Sequence, residues 1–507
     1  MNKAIVKNTE PILLSVLILM ILGYRIYVLT VFGFVYTDSD QTIMWLGARD
    51  YAEGAFHEPR FYGQDYNTML EALLSVPLLK CGVSLHLALP LITSMLALLP
   101  YFVISLLTYF KQSKVTGILL LTIPLLLPVE YEMITCLSRG FVTGIAIASM
   151  CCVPLFIRTT SAFLFFTGFA AIVAYSVNAN SVLLSLPCLF LVFLQNTRNK
   201  KFYIFSGFGF VSGLVVHLIV ARFYTNHPEY VLHTFNNNFS LENLIKGLSN
   251  LDLFFNQVTP VFSKQGWIIL LFFALLAAVL FIHKKKEHAI TLVLMLVLTI
   301  LPLSASKVHE GIASVFFSNE RMYLAVPVLL ALSISFITIK RPLIVYGWLV
   351  FTAGFFVFKL IKTPDTLNRN LKNHHFVTVI KNSDLIQECK TISAVSAQNN
   401  IELIIVNGHK YYDIYTYGCA ACMENFPETI RPVYERRIWQ LIKAEKTIYR
   451  NILLIDSGRN FSEEYPFITA SKDLEGFYLL KENIIPTIEL LKTLKIEVRN
   501  YQAVNAL

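Results

Sequence analysis

Solid apolar blocks of about 20 residues recur along the first 360 positions of the chain, separated by short polar breaks. A block of that length crosses a hydrocarbon core of about 30 Å as one helix, whereas a membrane barrel is written in short alternating segments. The pattern predicts spans at roughly 11–35, 85–110, 115–131, 140–158, 161–177, 181–196, 202–223, 266–283, 289–304, 321–339 and 343–360. One stretch fits less well. Residues 66–80, YNTMLEALLSVPLLK, are helical in pattern but only about 15 residues long. They are expected to lie in the membrane interface; counting them as a span would reverse every later loop.

Past Lys362 the pattern changes. TPDTLNRNLKNHH is polar and Asn-rich, SDLIQECKTISAVSAQNN reads as a capped helix, and IELIIVNG and RNILLIDSG read as strands. Between the strands, PETIRPVYERRIWQLIKAEK is expected to be a helix with Pro427 at its start. This alternation predicts a small α/β domain over 363–507, after a membrane domain over 1–362. No dinucleotide fingerprint follows either strand, so no cofactor is expected.

Composition agrees. Of 507 residues 55% are hydrophobic and 15% charged, with mean hydropathy +0.59; a soluble domain carries roughly 25% charged residues. The fold class expected is therefore a polytopic α-helical membrane protein of about eleven spans with a C-terminal soluble α/β domain. The N-terminus, MNKAIVKNTEPILL, is basic and then apolar, without a small-x-small cleavage site, and is expected to be an uncleaved first span. The net charge of +9 sits in short loops and the tail: Lys3 and Lys7, Lys111 and Lys114, Arg158, Arg198 with Lys200 and Lys201, Lys284 to Lys286, and Lys340 with Arg341. These clusters fall on one side if the N-terminus is cytoplasmic and the tail outside. The charge thus speaks to orientation; no run of basic and stacking aromatic residues suggests nucleic acid. Two outer loops, at about 36–84 and 224–265, are much longer than the rest, which places the chemistry outside.

The first of these loops opens with FVYTDSDQ, which sets Asp38 and Asp40 at the end of an apolar span. One reading makes them helix caps, with Asp40 as the N-cap of QTIMWLGARDYAEG. The other makes them functional, and two acids at i and i+2 fit a general base and a divalent-cation ligand alike. No metal is predicted. Downstream, the helix text ARDYAEG and the segment FYGQDYNTMLEA follow.

In this order of parts the chain resembles the GT-C-type membrane glycosyltransferases, in the branch of protein O-mannosyltransferases and aminoarabinose–lipid A transferases. The specific text lies in the first 85 or so residues. The resemblance implies a polyprenyl-phosphate sugar donor, a hydroxyl acceptor on a glycolipid, lipopolysaccharide, glycan or protein, and inversion at the anomeric carbon. It puts the family's loop acid at Asp40, as the base for the acceptor hydroxyl. Where relatives carry a second acid directly afterwards this chain has Gln41, which leaves Asp38 as the substitute partner. Tyr66 and Glu71 are implied substrate contacts, although Glu71 fits an aqueous pocket wall equally.

Phosphate is already a good leaving group, so the remaining need is cationic side chains for its growing charge. Guanidinium groups suit this. Arg139 in CLSRGFVTG and Arg321 in SNERMYLAVP stand at outer span ends, where ordinary snorkelling also places arginine. Lys307 and His309 are further candidates. Asn178 and Asn180 of VNANS either bind substrate or cap the turn. Arg25, inside the first span, either snorkels or pairs with Glu130 or Glu132. Asp50 and Glu53 are expected on a solvated face. Cys419 and Cys422, a CxxC in the tail, are expected to be a structural disulfide or two free thiols.

Two other classes compete. A transporter or flippase would show internal repeats or acids near mid-membrane, and here the acids cluster at one edge. A non-catalytic envelope assembly protein would tolerate loss of the Asp40 carboxylate.

Overall fold

The structure is a computed structural model, and residues 3–157, 160–233, 238–260, 265–312, 314–339, 342–374, 377–408, 411–471 and 474–498 are described. Of the expected cytoplasmic charges, Arg158, Lys340 and Arg341 lie outside these, as do the side chains of Lys3 and Lys7. The chain divides into two compact units.

The first unit comprises Met1–Gly33, Pro90–Ile219 and Phe235–Phe376. Among the described residues five helical segments are long and apolar enough to cross a membrane: Thr9–Gly33, Leu85–Lys111, Lys200–Asn226, Lys286–Ser304 and Ile344–Lys372. Their outward residues are apolar too; Phe208, Ile219, Val350 and Ile361 are each more than 60% exposed. A water-facing helix would be polar there, so the surface calls for hydrocarbon. Other expected spans are shorter or broken. The block at 115–131 is divided into Lys114–Leu121, Ile123–Leu126 and Val129–Ile134, where Pro124 and Pro128 each remove a helix hydrogen bond and crowd the preceding turn. Ser161–Val177 and Lys200–Asn226 cross closely: a Cβ at Gly168 would lie 2.2 Å from the Ser206 carbonyl oxygen. Small residues at such a crossing let two helix backbones approach.

The charge at Arg25 is fully accounted for. Its Nη1 donates to Glu132 Oε2 at 2.6 Å and its Nη2 to the Thr135 carbonyl at 2.7 Å, while Lys359 Nζ stands 3.4 Å from Glu132 Oε1. Arg25, Glu132 and Lys359 are each under 5% exposed. Of the two expected partners it is Glu132 that pairs, and Glu130 pairs with Arg369 instead.

The second unit comprises Phe34–Leu89, Val220–Thr234 and Val377–Leu507. Lys362 lies inside the helix Pro342–Lys372. Strand β1 (Tyr36–Asp38) pairs antiparallel with β2 (Val379–Lys381), Asp38 opposite Val379. A five-stranded sheet follows from β3 (Leu403–Gly408), β4 (Glu428–Ile430), β5 (Ile452–Asp456), β6 (Ile468–Ala470) and β7 (Phe477–Leu480). Its order is β4-β3-β5-β7-β6, with β4, β3 and β5 parallel and the rest antiparallel. Alternation along a strand sends its side chains to opposite faces. Ile404, Val406, Leu453 and Ile455 accordingly join one core, and Leu403, Ile405, Ile452 and Leu454 another. The first core also takes Ile43, Met44 and Trp45 of the helix Ser39–Glu53. The outer-loop helix is thereby a structural member of the α/β unit.

Two tail expectations need correction. Pro427 does not start a helix: Glu428–Ile430 is the edge strand β4, and the helix runs only over Ile438–Lys446. Parallel pairing with β3 outweighs the helical pattern there. Cys419 pairs with Cys389, not with Cys422, which is a free thiol. The helix Asn382–Gln398 brings Cys389 within 5.1 Å (Cα to Cα) of Cys419. Substituting Cys389→Ser should therefore lower stability by about 2–4 kcal/mol, with no rescue from Cys422. Thermal unfolding of the oxidised variant and wild type checks this.

The interface stretch forms a helix over Leu70–Lys80. Its 11 residues reach about 16 Å, about half a hydrocarbon core, so it is not a span.

Candidate functional site

Strand β1 ends at Asp38, and the helix Ser39–Glu53 begins in the next residue. Asp38 is therefore the N-cap: extended backbone, a wholly buried side chain, and Oδ1 accepting the Gln41 N–H at 3.0 Å. On the capping reading the cap is thus Asp38 and not Asp40. Asp40 sits in the first turn, where a carboxylate is favoured by the helix dipole, with its side chain 41% exposed. Gln41 is buried. Of the acids in this opening, one is consumed by structure and one is presented.

Around Asp40 the second unit supplies charge that the sequence reading did not single out. Arg436 Nη2 stands 3.7 Å from Asp40 Oδ1. Arg437, its neighbour, is spoken for by Glu435, with Nε donating to Oε1 at 2.9 Å. The signal was present as ERR at 435–437, but assigning that text to a helix surface hid it. Glu58 is wholly buried and accepts from the Gly63 N–H at 3.0 Å and the Tyr224 hydroxyl at 3.1 Å. Burial pushes its carboxyl well above the usual range, opposed by those two hydrogen bonds and by the charge of Arg436.

Asp50 is not on a solvated face. It accepts the Tyr62 hydroxyl at 2.7 Å and lies 3.8 Å from His57 Nε2, whose ring stacks on Trp439 at 4.1 Å. Burial raises the Asp50 carboxyl and lowers the His57 imidazole. Glu53 is largely exposed, paired with Arg49. Glu71 is completely buried in the first turn of Leu70–Lys80, so it is no pocket-wall acid in water; Tyr66 is half-buried. Asp38, Asp40, Tyr66 and Glu71 thus all belong to the second unit.

Arg139, Arg321, Lys307 and Asn178 belong to the first. Arg139 is buried and its Nη1 donates to the Phe316 carbonyl. The Arg321 guanidinium lies over Phe141 and Phe317, at 5.4 and 5.2 Å, close enough to Arg139 for the two charges to repel. Asn180 Nδ2 donates to the Phe141 carbonyl at 3.0 Å and the Arg321 carbonyl at 3.3 Å. Asn178 Oδ1 accepts the Asn180 N–H at 3.1 Å, which is a turn-capping role. Glu320, beside Arg321, has its carboxyl pushed up to about 8 by burial. At neutral pH it is largely protonated. Lys307 pairs with Glu310 at 2.8 Å. The first unit therefore places Arg139 and Arg321 within electrostatic reach of each other, with the asparagine turn bonded to the Arg321 backbone.

Among the described residues no group of three or more His, Cys, Asp or Glu side chains could hold a metal ion. No family model matches the sequence, and no curated protein matches it. Among solved structures the chain is similar to the crystal structure of ArnT from Cupriavidus metallidurans in the apo state. The TM-score is 0.44 and the identity 10%, over 92% of this chain and 98% of that one.

Proposed function

We propose that the chain is a GT-C-type membrane glycosyltransferase that moves a sugar from a polyprenyl-phosphate donor to a hydroxyl acceptor, with Asp40 as the base. The observation that carries this reading is the division of labour at the loop opening. Asp38 is sealed into the N-cap, while Asp40 is open to solvent beside a guanidinium. In the reaction Asp40 takes the acceptor proton, and the acceptor oxygen bonds to the anomeric carbon. The bond from that carbon to the phosphate oxygen breaks, and its electron pair leaves on the phosphate. Attack opposite the leaving group inverts the carbon. A positioned base contributes roughly 100- to 10,000-fold. On the sequence, Arg139 and Arg321 are the candidates for stabilising the growing phosphate charge. The work is assigned to the outer face of the inner membrane, with the N-terminus cytoplasmic, and the acceptor is a glycolipid, lipopolysaccharide, glycan or protein.

Mass spectrometry of envelope glycans and glycolipids from wild-type and deletion strains tests this. The expected result is loss of one defined sugar mass on deletion, restored by the wild-type gene. Unchanged glycans would sink the proposal. A second reading, transport of an envelope glycolipid, is favoured by one observation, the buried Arg25, Glu132 and Lys359 cluster in the helical unit. It predicts accumulation of an unaltered glycolipid on the inner leaflet with no sugar missing from its structure.

A further inference from the structure

Arg436 is held in place from three directions. Its backbone N–H donates to the Tyr417 hydroxyl at 3.2 Å, and that hydroxyl donates to Glu435 Oε1 at 3.3 Å. Its guanidinium lies 5.7 Å from the centroid of the Phe61 ring. Gly63 presses on its base: φ is +76°, and a Cβ there would lie 3.1–3.2 Å from Arg436 Cα, Cβ and Cγ. The Gly63 turn is itself fixed, since its carbonyl accepts the Leu232 and His233 N–H groups at 2.9 and 3.1 Å while its own N–H serves Glu58. So much fixing leaves the guanidinium half used. Nη2 faces Asp40 at 3.7 Å, too long for a hydrogen bond, and Nη1 is buried with no hydrogen-bond acceptor among the described residues.

Such an arrangement is a poor structural ion pair. A 3.7 Å contact to a carboxylate that is 41% exposed adds little stability, and a buried donor without an acceptor subtracts from it. What a rigid guanidinium with a spare N–H does well is bind an oxyanion, because its fork matches phosphate or carboxylate oxygens.

We propose that Arg436 is the oxyanion-binding residue of the Asp40 site, its guanidinium offering N–H groups to a phosphate oxygen of a substrate. The C-terminal segment then supplies part of the binding machinery. The inference relies on the transferase reading only for the role of the bound anion. Two sources share this chemistry, the phosphate of a polyprenyl donor and a phosphate on an anionic acceptor glycolipid.

The test uses the full-length protein in detergent, with undecaprenyl phosphate and diphosphoryl lipid A as probes and undecaprenol as the uncharged control. Arg436→Gln should weaken one phosphate probe roughly 10- to 100-fold without changing undecaprenol binding, and the probe affected names the source. Gly63→Ala should weaken the same probe although every charge is kept, because it displaces Arg436. Phenylglyoxal labelling of the wild-type protein, read by peptide mass spectrometry, covers the case where a variant misfolds. Saturating probe should protect Arg436. Unchanged affinity of Arg436→Gln for both phosphates would overturn the proposal, as would full labelling of wild-type Arg436 under saturation by each. The binding result stands apart from the glycan comparison of wild-type and deletion strains, so either claim can fail alone.

Discussion

Asp40→Asn should lower sugar transfer roughly 100- to 10,000-fold, the contribution of a positioned base. Its effect on folding should be small, within about 0.5 kcal/mol, since Asp40 is on the surface of the first helical turn and caps nothing. Asp38→Ala should behave in the opposite way. Loss of the N-cap hydrogen bond to Gln41 costs about 0.5–2 kcal/mol, while any loss of rate should follow the lost folded protein. Complementation of a deletion strain at matched membrane abundance, with glycan masses as the readout, separates the two. If Asp40→Asn restores the full glycan profile, the base has been misassigned. If Asp38→Asn abolishes transfer in a protein of normal stability, the cap is more than a cap.

Glu132→Ala should be the most damaging single change to folding in the helical unit. It leaves Arg25 and Lys359 facing each other in a buried setting with no counter-charge. Breaking a buried pair in this way costs about 3–5 kcal/mol, and here one carboxylate serves two cations. The expected outcome is a collapse of the monodisperse peak in detergent size-exclusion chromatography. A triple variant, Arg25→Leu, Glu132→Leu and Lys359→Met, should recover much of it, because a well-packed apolar replacement removes the charges together. Equal peaks for Glu132→Ala and wild type would mean that the cluster contributes nothing to folding.

The legible part of this chain was whatever rests on local pattern. Apolar blocks announced the helices, and alternation in IELIIVNG and RNILLIDSG announced the central strands of the α/β unit. The text of the first outer loop singled out Asp38 and Asp40, though not their division into a buried cap and an exposed carboxylate. Most of the departures arise where a distant segment decides the outcome. The capping reading puts the cap at Asp40 because it starts the helix after that residue. Pairing of β1 with residues 379–381 ends the strand at Asp38 and starts the helix earlier. Pro427 looked like a helix start until an edge strand claimed the residues after it. Cys419 had an obvious neighbour in Cys422, but its partner is 30 positions upstream on another helix. Arg436 was hidden for the same reason. Nothing in its own neighbourhood says that residues 40, 61 and 63 surround it.

The joining of β1 to β2 also sets an order of events during synthesis. The Asn382 side chain donates to the Phe34 carbonyl across 348 positions of chain. At roughly 5–20 residues per second, the ribosome needs about 20 to 70 s to make that distance. For most of that interval the Asp40 helix has been made but lacks the strands that bury its apolar face. A nascent or truncated chain therefore holds Asp40 in an unfinished setting, and the α/β unit matures only once its strands have been made. Premature termination anywhere before the sheet should yield an inserted but inert protein, with an exposed Met44 and Trp45 surface for quality-control proteases to recognise.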